Sequence, residues 1–319
     1  MKNTVFLNAA RLNFDNRLNF SSIEKLTKVT TYEISSDEEI LERVQGQNIV
    51  VTKEMPVSGD IIRQFPPSVE LICEAGTGYN NIDIQAAKEK GIAVCNIPGY
   101  STEAVAQLTI TLMLSLASSI ALQKTMIKDK NFNNFTKALE VPHFEVLDKT
   151  IGIIGSGTIG REVIKIAHSL GMRVIAYSRS RKSWGDPKVE FVDLDDLFKQ
   201  SDFVSIHCPL TEETRHLVNK SKLDLMKPTA YIINTSRGPI IKETDLIEAL
   251  QQGKIAGAGL DVQDPEPPSL DNPMFQMDNV ILTPHIGWKG LETRQRLLEL
   301  VAMNIDSFLQ GNPVNVVNK

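Results

Sequence analysis

The amino-acid sequence predicts an α/β protein made of two doubly wound parallel sheets in one chain. Three observations carry that expectation. Short apolar strands alternate with helical stretches along most of the chain, a pattern that builds parallel sheets with helices on both faces. The 319 residues suffice for two cores, at roughly 150 residues per domain. A final amphipathic helix has no third sheet after it, so it must pack on one already made.

The first hundred residues justify the first sheet. Val5–Leu7, Ile49–Thr52, Leu71–Cys73 and Ala93–Cys95 read as strands. Ser22–Leu26, Glu38–Val44, Ser58–Gln64 and Ile84–Lys90 read as helices, the last closed by Gly91. Stronger strands follow at Thr150–Ile154, Arg173–Tyr177, Phe203–His207, Tyr231–Asn234, Ala256–Gly259 and Val280–Thr283. Between them lie helices at Ile159–Leu170, Leu194–Lys199, Lys220–Met226 and Glu243–Gln251. In the tail, Leu291–Leu309, the residues Leu291, Leu297, Leu298, Val301, Ile305 and Phe308 form an apolar stripe, with Glu292, Arg294 and Arg296 on the polar side. Asp264–Pro273, DPEPPSLDNP, is a rigid loop between two strong strands.

Composition narrows the partners. A formal net charge of −5 leaves no electrostatic footprint for nucleic acid or an anionic membrane. Cys73, Cys95 and Cys208 are far apart and odd in number, so neither a disulfide framework nor a metal site is expected. The start, MKNTVFLNAA, has less apolar length than a signal peptide needs. A soluble, reduced, cytoplasmic protein is expected. Ala104–Gln123 is uncharged and about long enough to span a bilayer. Gln107, Thr109, Thr111, Ser115, Ser118 and Ser119 dilute it, and no aromatic belt flanks it. It is expected as one helix in the core or at a subunit interface.

A cofactor motif lies between strand and helix in GIIGSGTIG, as Gly155-x-Gly157-x-x-Gly160. It ends an apolar strand and opens a helix with Ile159, Val163, Ile166 and Leu170 at helical spacing, the context that the dinucleotide fingerprint requires. Gly155 permits the tight turn, Gly157 lets backbone approach a pyrophosphate, and Gly160 lets helix and strand pack closely. The pyrophosphate then rests on helix N-terminal amides. An earlier Ala75-Gly76-Thr77-Gly78-Tyr79-Asn80-Asn81 lacks the third glycine, and Asp83 reads there as a helix cap. The first sheet should hold substrate, not nucleotide.

The strand after the glycines ends in Tyr177-Ser178-Arg179-Ser180-Arg181-Lys182. An NAD site usually has an acid about 20 residues past the glycines, on the ribose hydroxyls. Here Ser178 stands in that place, with cations behind it. Ser178, Arg179, Ser180 and Arg181 suit a 2′-phosphate, so NADP(H) is favoured, with NAD(H) the alternative.

Three later segments each follow a strand of the same half: Asn234-Thr235-Ser236-Arg237-Gly238, Leu260-Asp261 through Glu266-Pro267, and Thr283-Pro284-His285-Ile286-Gly287-Trp288. Each delivers an ionisable side chain to the edge where open α/β sheets bind ligands. A cation, an acid and an imidazole beside a nicotinamide are what reduction of a 2-oxo acid needs. The cation grips the carboxylate, the imidazole protonates the carbonyl oxygen, and the acid orients the imidazole.

On these residues the chain resembles the D-isomer-specific 2-hydroxyacid dehydrogenase family over essentially its whole length. The matching stretches are GSGTIG, CPLT (Cys208–Thr211), NTSRGP, LDV…EPP and TPHIGW. The resemblance implies a catalytic trio of Arg237, Glu266 and His285. It implies cofactor contacts at Gly155, Ser156, Gly157, Thr158, Ile159, Gly160, Cys208, Pro209, Thr235, Ser236, Asp261, His285 and Gly287. GTGYNNID (Gly76–Asp83) looks like the family's substrate loop, whose amides near Thr77 and Gly78 would hold the carboxylate together with Arg237 and His285. The implied architecture is a Rossmann domain, residues 99–288, inserted into a flavodoxin-like substrate domain, residues 1–98 and 289–319. The uncharged helix then belongs at a homodimer interface.

GYNNID, EPPSLDNP and HIGW look most like the glycerate dehydrogenase and hydroxypyruvate or glyoxylate reductase branch. The loop residues Glu74, Thr77, Tyr79 and Asn80 include no cation, which disfavours a phosphorylated acid. D-lactate or branched-chain substrates stay open, as does a dinucleotide-sensing corepressor that keeps the same trio. Lys53, in VTKEMP, is a candidate for substrate contact, and Trp288 for a pocket wall. His143 reads as solvated, His168 as a surface residue, and His207 and His216 as packing or structural residues.

Overall fold

A computed structural model describes residues 1–179 and 189–319. The expected phosphate contacts Ser180 and Arg181 lie outside the described residues. The chain divides into two compact units, Met1–Ser101 with Trp288–Lys319, and Thr102–Gly287.

The first unit holds strands β1 (Asn3–Phe6), β2 (Lys28–Thr31), β3 (Ile49–Thr52), β4 (Leu71–Glu74) and β5 (Ala93–Cys95). They form one sheet in the order β2-β1-β3-β4-β5, every neighbour parallel. Successive residues face opposite sides. Phe6, Val51, Cys73 and Cys95 enter one core, while Val5, Val50, Ile72 and Val94 enter the other. Strand β2 was not expected: it is an edge strand, KVTT, with no buried residue, so it carries no apolar signal.

Short helices α1 (Ser21–Glu24), α2 (Asp37–Arg43), α3 (Gly59–Arg63) and α4 (Ile84–Glu89) connect the strands. Ser36 and Glu39 form a reciprocal capping box on α2. Asp83 caps α4, accepting from the backbone N–H groups of Gln85 at 3.1 Å and Ala86 at 2.9 Å.

The C-terminal helix, Leu291–Leu309, buries Leu297, Leu298, Val301 and Ile305 in the same core as Phe6 and Val51. Arg294 departs from its expected place on the polar side and is buried. It donates to Leu12 O at 2.8 Å and to both oxygens of Asp15, at 2.9 and 2.6 Å, and stacks 4.1 Å from the centre of the Phe14 ring. That bidentate pairing satisfies the buried guanidinium and holds the Asp15 carboxyl down at about 2.

The second unit opens with α5 (Thr102–Ala117), α6 (Ile120–Lys128) and α7 (Asn133–Thr136). The expected single uncharged helix is thus two, bent by 58°. Ser119 at the break takes a left-handed φ of +48° and donates its hydroxyl to Pro142 O at 2.6 Å. Among the described residues no single helix is long and apolar enough to cross a membrane; the bent pair passes only by combined length and composition.

Strands β6 (Thr150–Ile154), β7 (Arg173–Tyr177), β8 (Glu190–Phe191), β9 (Phe203–Ile206), β10 (Tyr231–Asn234), β11 (Gly257–Leu260) and β12 (Val280–Leu282) follow. Between them lie α8 (Thr158–Ser169), α9 (Leu194–Gln200), α10 (Lys220–Leu223) and α11 (Glu243–Gln251). The sheet order is β12-β11-β10-β9-β6-β7-β8, again all parallel. The order reverses between β6 and β9, where doubly wound sheets open a ligand crevice at their carboxyl edge. A Cβ on Gly259 would stand 3.1 Å from Leu112 Cβ, so a glycine in β11 lets α5 lie close.

His168 is half-buried rather than a surface residue, its Nε2 enclosed without a hydrogen-bond partner among the described residues. His207 bonds Ser205 Oγ at 2.8 Å, and burial pushes its pKa down to about 3. His143 is exposed.

The C-terminal helix supplies the first test. Leu298→Ala empties a fully buried site and should cost about 2–5 kcal/mol, read as a fall in the urea midpoint at unchanged slope.

Candidate active site

The glycines after β6 are held by contact. Gly155 has φ +95°, and a Cβ there would meet Cys208 N at 2.7 Å and His207 C at 2.8 Å. A Cβ on Gly160 would stand 2.2 Å from Gly155 O. Gly157 differs, since a Cβ there would meet nothing within 4 Å. Gly157 is the N-cap of the twelve-residue α8, with Thr158 at the helix start, and both are exposed. Open space over unsatisfied helix N–H groups fits an anionic group such as a pyrophosphate. Ser156 is buried, Ile159 half-buried, and Ser156 O accepts from Arg161 Nε at 3.2 Å.

Ser178 follows β7 and is half-buried. Arg179, expected to meet a phosphate, is paired with Glu213 at 2.5 Å, both exposed. Glu213 lies 34 residues further along and carries no local signal linking it to Arg179.

Arg237, Glu266 and His285 follow β10, β11 and β12. Glu266 Oε2 and His285 Nδ1 stand 2.8 Å apart, and the other carboxylate oxygen accepts from Gln263 N at 2.9 Å. Burial would raise the Glu266 pKa. The His285 hydrogen bond and charge, the Gln263 N–H and the Arg237 charge outweigh it, so the carboxyl lies below its ordinary value. Arg237 is half-buried and donates to Ser236 O at 2.8 Å. A Cβ on Gly238 would overlap Gln263 O at 1.9 Å, so the glycine after Arg237 brings its loop against the loop of Glu266.

Asp261 holds the His285 turn. Its Oδ1 accepts from Thr283 Oγ1 at 2.6 Å and Ile286 N at 2.8 Å, and its Oδ2 from Gly287 N at 2.9 Å. Its backbone oxygen accepts from His285 N at 2.9 Å. His285 itself has φ +51°, a conformation that persists only where surrounding contacts impose it. This positioning role was not legible, since the motif offered Asp261 only as a cofactor contact.

The remaining expected contacts of the second unit follow strands of the same sheet. Ser236 Oγ donates to Cys208 O at 2.5 Å, Thr235 Oγ1 lies 2.9 Å from Thr109 Oγ1, and Pro209 is exposed. Thr109 was read only as a polar residue in an apolar helix. In the first unit, Thr77 is exposed and Gly78 half-buried, the turn fixed by Thr77 Oγ1 to Ile97 O at 3.0 Å and Asn96 Nδ2 to Thr77 O at 2.7 Å. Glu74, expected in the substrate loop, is instead buried at the end of β4. Trp288 and Lys53 are buried together, the ammonium 4.0 Å from the centre of the indole. Among the described residues no group of three His, Cys, Asp or Glu could hold a metal ion.

A glycine turn open over a helix end, with a carboxylate–imidazole pair on neighbouring strand ends, suits an oxidoreductase that works with a bound dinucleotide. Residues 110–287 match the family described as D-isomer specific 2-hydroxyacid dehydrogenase, NAD binding domain. A hydroxypyruvate reductase of Blautia hydrogenotrophica is 38% identical over 312 residues, covering 95% of each chain. A glyoxylate reductase of Thermococcus litoralis is 39% identical over 286 residues, 88% of this chain and 86% of that one. Among solved structures, an acyclic imino acid reductase in complex with NADPH and D-Arg superposes with TM-score 0.89 at 30% identity, over 99% of this chain and 100% of that one. The chain belongs to the D-isomer-specific 2-hydroxyacid dehydrogenase family and is an oxidoreductase with a nicotinamide dinucleotide cofactor.

Two glycines separate binding from folding. Gly157→Ala should leave the thermal midpoint within about 2 °C yet weaken dinucleotide binding, since the added methyl occupies only the space left for the ligand. Gly160→Ala, which collides with backbone, should lower the midpoint by several degrees, roughly 4 °C or more. Thermal melts and fluorescence titration with reduced dinucleotide check both.

Proposed function

We propose that the protein reduces a small 2-oxo acid of the hydroxypyruvate or glyoxylate type to the D-2-hydroxy acid, with NADPH preferred over NADH. The observation that carries this reading is the 2.8 Å bond between Glu266 and His285 Nδ1. It leaves Nε2 to deliver a proton to the carbonyl oxygen, and the carboxylate supports the positive charge the ring carries before transfer. Arg237 grips the substrate carboxylate, and the amides at Thr77 and Gly78 are assigned to the same carboxylate. Asp261 acts from behind, as a positioning residue for the His285 turn. When bound, the dinucleotide supplies the hydride.

The cofactor preference rests on Ser178 standing where an acid would repel a 2′-phosphate, with Arg179 beside it. Arg179 must then exchange Glu213 for the phosphate, an exposed pair of small strength. A homodimer is supported by exposed apolar side chains on and after α6, namely Ile120, Ile127, Phe132, Phe135 and Leu139. Three free, buried cysteines fit a reducing cytoplasm.

The test is a panel of hydroxypyruvate, glyoxylate, pyruvate and 2-oxoisocaproate with NADPH and with NADH, following loss of the reduced nicotinamide. Fast NADPH oxidation with the first two acids is expected. Bound dinucleotide with no turnover of any of the four acids would refute this substrate reading. Ser178→Asp with Arg179→Ala should shift the NADPH/NADH ratio of kcat/KM toward NADH by at least about tenfold; an unmoved ratio removes the phosphate assignment.

His285→Ala should lower kcat by about 10²–10⁴-fold while dinucleotide affinity holds. Glu266→Gln should lower kcat less. An unchanged kcat in Glu266→Gln would show that the carboxylate does not orient the ring.

A further inference from the structure

The loop that carries Glu266 runs from Asp264 to Asn272, between β11 and the short 3₁₀ helix Pro273–Gln276. Little of it is buried. Pro265, Glu266, Pro267, Ser269, Leu270 and Asp271 are exposed, Leu270 at 97%. Burial therefore does not fix where the Glu266 carboxylate stands. Its bonds to Gln263 N and His285 Nδ1 use the carboxylate itself, so the backbone that delivers it depends on anchors at the two ends of the loop.

One side chain reaches both ends. Glu243 opens α11, and its Oε2 accepts from Asp264 N at 3.2 Å, where the loop begins. Its Oε1 accepts from Asn272 Nδ2 at 2.9 Å, where the loop ends. Asn272 is buried, and its own Oδ1 accepts from Met274 N at 3.0 Å, with the Met274 side chain in the core. Glu243 is half-buried. Burial and the neighbouring Asp264 charge push its pKa above the ordinary value, against the pull of the two N–H donors. Withdrawing a carboxylate from water is costly unless its oxygens are used, and here each oxygen holds one end of the loop.

The loop is also stiff. Pro265, Pro267, Pro268 and Pro273 lock φ along it, so a displacement at either end is carried to Glu266 rather than absorbed on the way. The Arg237 loop meets the same start, since a Cβ on Gly238 would stand 2.9 Å from Asp264 N. Glu243, the loop and His285 all belong to the second unit. We propose that Glu243 is a positioning residue for Glu266: by holding both ends of the Asp264–Asn272 loop, it sets where that carboxylate meets the His285 ring.

This rests on the reductase reading, and the experiment separates the two. The single-turnover rate of reduced-dinucleotide oxidation by hydroxypyruvate is measured alongside dinucleotide affinity, thermal melts and amide hydrogen exchange over residues 261–274. Glu243→Gln keeps the side-chain length but turns one acceptor into a donor facing an N–H. It should slow the single turnover about tenfold at unchanged dinucleotide affinity. The swap Glu243→Gln/Asn272→Asp reverses donor and acceptor in the second bond, keeps an acceptor for Asp264 N and conserves net charge. It should return the rate to within about threefold of wild type. In a Glu266→Gln background, Glu243→Gln should cost less than about twofold more, because the carboxylate it acts through is already gone. An equal loss in both backgrounds, no loss in the single variant, or no recovery in a folded swap variant would overturn the assignment and leave the reductase reading intact. Glu243→Gln should also speed amide exchange in the loop, and the swap should restore it, a readout that needs no substrate. Should the wild type turn over none of the four acids, the reductase reading falls by itself, and unmoved amide exchange in Glu243→Gln would then overturn the clamp as well.

Discussion

The arrangement of the larger unit's site depends on one buried carboxylate. Asp261, at the end of β11, receives the Thr283 hydroxyl and the N–H groups of Ile286 and Gly287, while its own carbonyl receives the N–H of His285. A buried carboxylate is tolerated only when its lone pairs are used, and here a single turn uses them. That turn holds His285 in a left-handed conformation that the residue would not choose by itself. The imidazole then points its Nδ1 at Glu266, which the same loop that starts at Asp261 delivers from the other side. Asp261 holds the histidine's turn, while Gln263 N holds the acid.

Glycines do the complementary work of close approach. Gly160 admits the helix to the turn at Gly155, and Gly238 admits the loop of Arg237 to the loop of Glu266. In both places a methyl group would overlap backbone oxygen, so no side-chain adjustment could relieve it. Gly157 has room around it, and its value lies in that room. The same sequence signature thus contains glycines required by packing and one required by the space a ligand would take.

Much of this was legible. Strands β3, β5, β6, β7 and β10, and helix α11, have the bounds expected from apolar runs and helical spacing. The C-terminal helix also has its expected bounds. Edge strands β2 and β8 were not expected, because an edge strand carries exposed residues and no periodic apolar run. Arg294 was assigned to the polar face by spacing alone. Its burial depends on Asp15, 279 residues away in the chain. Arg179 was expected to be available for a phosphate, and a distant Glu213 engages it. The break at Ser119 escaped because no proline or glycine marks it.

The sequence by itself determined the fold class, the glycine turn and the identity of the three ionisable residues at strand ends. These are local matters: period, turn chemistry and the residue that follows a strand. The tertiary structure alone decided that Asp261 holds the turn from behind, and that Lys53 is clamped in a buried network with Glu54, Glu74, Tyr100 and Trp288. Those relations join residues that are tens to hundreds of positions apart. In a parallel sheet such residues come together only when strands stack in order and side chains lose water, so that each buried charge has to find its partner in space rather than along the chain.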